Sequence, residues 1–258
     1  MKTLAAAAML TATLASGKPV QTRVPYSLDG KDFEGVLVFD DSVKAPRPGI
    51  LMVPNWLGVN DANLKQAALV AGKDYVVFVA DVYGKGVRPT SGDEAGKVAG
   101  ALKADRPTLR AHAQASLKAF LAAAKVARVD TSKIGAVGFC FGGTTVNELA
   151  KSGAEFAAAV SIHGGLDAPL ATLEKPKARL LALHGADDPF VPRTDVNAFT
   201  DDLRKAGADW TFVEFSGAVH SFTDVDAKVP GKSQYDERTA QRAYAMMRTF
   251  FSESFRRP

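Results

Sequence analysis

The chain has 258 residues, 47% hydrophobic and 23% charged, with 13 Pro and 22 Gly, a globular balance that excludes wholesale disorder, collagen and coiled coil. A formal charge of +4, from 32 basic against 28 acidic residues, comes with no basic run beyond Arg256-Arg257, so nucleic-acid binding has no support. One Cys and four His rule out an intramolecular disulfide framework and a multi-thiolate zinc site, and a chain this long can bury its core without either.

The N-terminus comes first. Lys2, the apolar stretch from Leu4 to Leu14 and the small residues Ala15-Ser16-Gly17 have the parts of a secretory signal peptide. Residues 1–17 are therefore expected to be removed near Ala15 or Gly17, placing the product in the periplasm or outside the cell. The alternative is an Ala-rich terminal helix on a cytoplasmic protein. The run is too short to span a bilayer, and no later segment reaches that length.

From Val20 the pattern alternates strands and helices. Thr22 to Leu28 and Phe33 to Phe39 flank Asp29-Gly30 and predict an antiparallel hairpin. Gly49 to Val53 reads as a buried strand, Asn60 to Ala71 as a helix and Tyr75 to Ala80 as a strand. Residues 81–108 are polar and punctuated by Gly84, Gly86, Pro89, Gly92 and Pro107, and are expected to form a long loop. Leu109 to Ala127 is predicted as one long helix, with Leu109, Ala113, Leu117, Phe120 and Leu121 on its inner face and His112 solvated. Lys133 to Gly138, Ala157 to Ile162, Arg179 to Leu183 and Trp210 to Phe215 are further strands. Helices are expected over Gly143 to Lys151, Thr194 to Ala206 and Gln234 to Phe255. This alternation predicts one α/β domain over residues 18–258, a mostly parallel sheet covered by helices on both faces.

Three segments carry the chemistry. Residues Gly138 to Gly142 read G-F-C-F-G between a strand and a helix, the nucleophile-elbow pattern with Cys140 in the place of Ser. The elbow presents the side chain at a helix N-terminus, whose dipole favours a thiolate. A thiol nucleophile needs a base, and the base an orienting carboxylate. Asp187 and Asp188 lie in a turn after one predicted strand, and His220 in a loop after the next. Nucleophile, acid, histidine is the chain order of α/β-hydrolases, and parallel strands bring such loops to one sheet edge. His184 reads as structural. His163-Gly164-Gly165 follows the nucleophile instead of preceding it, so it is not an oxyanion motif. A zinc site from His184, Asp187, Asp188 and His220 is conceivable but has no supporting spacing.

G-F-C-F-G-G, H-G-A-D-D-P-F-V-P from His184 and V-H-S-F around His220 together resemble the dienelactone hydrolase family, as do P-N-W-L-G-V-N from Pro54 and D-V-Y-G-K-G from Asp81. The resemblance runs from about Phe33 to Phe251. It implies an α/β-hydrolase fold without a large cap, a Cys140, His220, Asp188 triad, and an oxyanion hole from the backbone N–H groups of Trp56 and Phe141. Asn55 and Tyr83, in the two remaining segments, are the candidate substrate-binding positions. The resemblance implies a hydrolase of a small ester or lactone, acting through a thioester and needing no cofactor, and a monomer is expected. Alternatives are a thiol redox or sensor protein, which has no resolving Cys here, and a catalytically weak binding module. Two departures bear on the substrate: Asn55 stands where the family's lactonases carry a Glu, and Asp224 where they carry an Arg that grips a carboxylate. A preference for neutral over anionic substrates is expected, with Lys85 or Arg88 the only nearby cations that could compensate.

Overall fold

The computed structural model describes residues 19–172 and 175–256; the expected signal segment lies outside them. Strands β1 (Pro19–Leu28) and β2 (Lys31–Asp40) pair antiparallel with Leu28 opposite Lys31. Asp29 and Gly30 both take positive φ, 49° and 78°, as a two-residue hairpin turn of matching twist requires. Strands β3 (Arg47–Val53), β4 (Val76–Val79), β5 (Val129–Phe139), β6 (Ala158–Ile162), β7 (Arg179–Gly185) and β8 (Trp210–Phe215) complete an eight-stranded sheet. Its order is β1-β2-β4-β3-β5-β6-β7-β8, and every pairing from β4 to β8 is parallel.

Among the described residues, six α-helices cover the sheet: α1 (Asp61–Ala71), α2 (Gly92–Ala104), α3 (Arg106–Ala122), α4 (Phe141–Lys151), α5 (Arg193–Lys205) and α6 (Glu237–Ser254). Because successive strand residues point to opposite faces, each central strand feeds two cores. Ile50 and Met52 of β3 pack with Leu64 and Val70 of α1 and with Met247 and Phe251 of α6. Leu51 and Val53 belong to the opposite core, with Leu109 and Phe120 of α3, Leu149 of α4 and Phe199 of α5. Among the described residues, no helix is long and apolar enough to cross a membrane.

The structure corrects three expectations. Residues 81–108 are not one long loop: they contain α2 and the start of α3. Ser91 caps α2 by accepting the Glu94 N–H at 3.2 Å, while the Glu94 carboxylate reaches back to the Thr90 N–H at 2.8 Å. These caps offset three helical glycines, Gly92, Gly96 and Gly100. The helix expected over Leu109 to Ala127 starts earlier, at an Asp105 cap, and ends at Ala122, with a 3-10 turn over Ala124–Ala127. His112 is not solvated. It is buried under the hairpin, its Nδ1 2.8 Å from the Val82 carbonyl oxygen and its ring edge-on to Phe33.

Candidate active site

The nucleophile elbow is built by the absence of side chains. A Cβ on Gly138 would fall onto the Gly142 carbonyl, and one on Gly142 onto the Val53 carbonyl. With both glycines in place, β5, α4 and the end of β3 close around Cys140. Cys140 takes φ 54° and ψ −119°, a conformation that L side chains rarely adopt and that persists only when the surroundings fix it. Its N–H is held by the Ile162 carbonyl and by His163 Nδ1, both at 3.1 Å.

His220 lies between the other two candidates. Its Nε2 is 3.1 Å from Cys140 Sγ, and its Nδ1 is 2.7 Å from Asp188 Oδ2. The Asp188 carboxylate is buried and oriented by the Phe190 N–H, which donates to Oδ1 at 2.9 Å; Asp187 is exposed. A small hairpin, β9 (Lys228–Val229) with β10 (Ser233–Gln234), pins the His220 backbone. His220 N–H donates to the Lys232 carbonyl at 3.2 Å, and its carbonyl accepts from Gln234 N–H at 3.0 Å. The Phe190 ring stands edge-on to the imidazole, 5.4 Å between centroids. Burial works against a charged His220, but the hydrogen bonds to Asp188 and Cys140 outweigh it and push its pKa up to about 10. The imidazole is thus built to hold a proton shared with sulfur.

His163 belongs to the site, although sequence reasoning set its segment aside. Its Nδ1 accepts from Cys140, so its own proton sits on Nε2 and is donated to Thr223 Oγ1 at 2.8 Å. Burial, followed by the His220 charge, holds its pKa well below the usual histidine range. The ring therefore stays neutral 5.4 Å from His220. His184, read as structural, is buried and packs on Phe212, without a hydrogen bond at Nδ1.

A cavity of about 630 Å3 opens above the sulfur, walled by α1, α6 and the loop after His220, with Phe139, Cys140 and His163 lining it. Asn55 lines this cavity, and its Oδ1 is already engaged by Leu57 N–H at 3.1 Å and Asn63 Nδ2 at 2.9 Å. Tyr83 does not line it. It is buried, stacked on Phe141 at 5.5 Å, and its hydroxyl donates to the Trp56 carbonyl at 2.9 Å. The expected substrate contact stands instead as a support for the Trp56 loop. Phe141 is the first residue of α4, so its N–H has no intrahelical acceptor. Among the described residues, no group of three or more His, Cys, Asp or Glu side chains is arranged to hold a metal ion.

The dienelactone hydrolase family model matches residues 33–255. A dienelactone hydrolase-like promiscuous phosphotriesterase, P91, from metagenomic libraries is 33% identical and superposes with a TM-score of 0.85 over 92% of this chain and 99% of that one. The human carboxymethylenebutenolidase homolog is 34% identical over 93 residues, 35% of this chain and 37% of its own length. A dienelactone hydrolase from Anabaena variabilis, 17% identical with a TM-score of 0.65 over 92% of this chain and 99% of its own, shares the fold.

Proposed function

The chain belongs to the dienelactone hydrolase family and is an ester hydrolase of small substrates, and on that premise we propose that it works through a thioester on Cys140. The observation that carries this reading is His220 bridging Asp188 at 2.7 Å and Cys140 at 3.1 Å, where Cys140 lines an open cavity. His220 Nε2 takes the thiol proton, and the sulfur electron pair attacks the ester or lactone carbonyl carbon. The carbonyl π pair moves onto oxygen, which the Phe141 and Trp56 N–H groups stabilise. Collapse expels the alkoxide, protonated by the same Nε2–H, and leaves a thioester. His220 then deprotonates water, the hydroxide attacks the thioester, and the acid departs as sulfur leaves. Asp188 fixes the tautomer and balances the imidazolium in both halves.

A panel of small esters and lactones, assayed before and after alkylation of the single Cys, tests this directly. Activity is expected to vanish in proportion to the thiol lost. Cleavage undiminished in fully alkylated protein contradicts the mechanism.

The N-terminal pattern carries a second proposal, that the protein is exported with residues 1–17 removed. N-terminal sequencing of protein from its native host is expected to read past a cut near Ala15 or Gly17. An intact Met1 or Lys2 on the soluble cytosolic pool overturns it. We further propose that the enzyme acts as a monomer, and a mass in solution no greater than the 27.3 kDa of the full chain is expected.

A further inference from the structure

The cavity above Cys140 is charged with one sign in excess. The acidic side chains that line it are Asp61, Asp224 and Asp226, against Lys65 alone among the basic ones. Asp61 and Lys65 are four residues apart on α1, a spacing at which the two charges lie side by side on one helix face. Asp224 and Asp226 stand on the loop after His220, with no cation among the lining residues to offset them. Asp224 is half-buried, and its Oδ1 is fixed by the Asp226 N–H at 3.0 Å. Its field reaches into the cavity: after burial and together with Tyr235, it is among the causes that raise the pKa of the Tyr244 hydroxyl in the cavity wall.

This sign is not borrowed from the rest of the molecule, whose formal charge is +4. Nor do the two cations suggested by the sequence compensate. Lys85 turns to Glu34 at 3.9 Å, and Arg88 to Asp81 at 3.3 Å and the Gly84 carbonyl at 3.1 Å. Neither lines the cavity. Carboxylates in the walls of a cleft focus their field inside it and raise the local concentration of cations. An anionic ester entering here is repelled while it loses water, a neutral ester only loses water, and a cationic ester is attracted.

We propose that the cavity selects esters that carry an ammonium group, with Asp224 the main specificity-determining residue and Asp226 its support. The inference rests on the ester-hydrolase reading and concerns only which ester that site prefers. The probes are acetate esters of two alcohols of the same shape, trimethylammonioethanol and neutral 3,3-dimethylbutanol. The cationic ester is expected to have the higher kcat/KM by about tenfold, or about 1.4 kcal/mol of transition-state interaction. The advantage should lie mainly in KM and shrink as salt is raised. In Asp224→Asn, which keeps the acceptor for the Asp226 N–H, the ratio should fall severalfold, and in the double variant with Asp226→Asn it should approach one. Because the readout is a ratio on one protein, a general loss of activity does not affect it.

A ratio of one or less in the unmodified protein overturns the inference, and so does a ratio that the double variant leaves unchanged. A second readout does not depend on turnover: a tetraalkylammonium ion should protect Cys140 from alkylation at lower concentration than the neutral alcohol, and equal protection overturns the inference as well. Cleavage of neither ester, with selective protection retained, counts against the hydrolytic reading while leaving the charge preference standing.

Discussion

Cys140→Ala is expected to abolish ester cleavage, with kcat falling by roughly 10⁴-fold or more, the scale on which a removed nucleophile leaves only binding and oxyanion stabilisation. The size of the loss follows from the geometry. Among the described residues, Cys140 Sγ is the one cavity-lining group in hydrogen-bond contact with His220 Nε2, so no neighbour is placed to take over attack on the carbonyl. Cys140→Ser should keep a small residual rate. The hydroxyl would stand where the sulfur stands, but an alkoxide is much harder to generate than a thiolate at neutral pH. Steady-state kinetics on one activated ester ranks the three proteins. Full turnover by Cys140→Ala would falsify the thioester mechanism.

The second large effect separates two adjacent aspartates. Asp188→Asn is expected to lower kcat by roughly 10²- to 10⁴-fold, while Asp187→Asn stays within about twofold of the unmodified enzyme, as expected of an exposed side chain away from the reacting atoms. The Asp188 carboxylate is buried and accepts from His220 Nδ1–H at 2.7 Å. An amide at that position can offer its NH2 to Nδ1 and hold the proton of the ring on Nε2, where it faces sulfur and cannot accept. Asp187 is exposed and meets the site only through its backbone N–H, which donates to the Ala218 carbonyl at 3.0 Å. The reverse order of severity would move the acid by one residue. His220→Ala should cost on the order of 10²-fold or more and lose the response to Asp188→Asn, because the carboxylate acts only through the ring.

The residues brought together at Cys140 were legible because each ends or follows a strand of a parallel sheet, and local signals mark such positions. Gly138 and Gly142 could be read as an elbow since no other residue fits against the Gly142 and Val53 carbonyls. The α2 helix was hidden by Gly92, Gly96 and Gly100, which lower helix propensity, although Ser91-x-x-Glu94 offered a start signal. His163 was judged against the wrong template. The usable signal was its place directly after β6, the neighbour of the nucleophile strand, at the edge where loops converge. Tyr83 and His112 depend on long-range packing: the Phe141 ring stacks on one, and the Phe33 ring meets the other edge-on. No periodicity in a single segment encodes such contacts. The charge of the cavity lies between these cases. Asp224 was visible as a departure from the family pattern, but whether Lys85 or Arg88 compensates depends on Glu34 and Asp81, which belong to the hairpin and to the segment after β4.

The central claim is the covalent bond at Cys140, and the mass of the protein during turnover measures it. An activated acetate ester is mixed with the enzyme, quenched in acid within the first turnovers, and the intact mass is read. Because the chain has a single Cys, the account predicts an added acetyl group that neutral hydroxylamine removes and that peptide mapping places on Cys140. It also predicts that His220→Ala, which cannot activate water, holds on to any acetyl group it acquires. The same hydrolytic rate and the same acetyl mass in Cys140→Ala would contradict it.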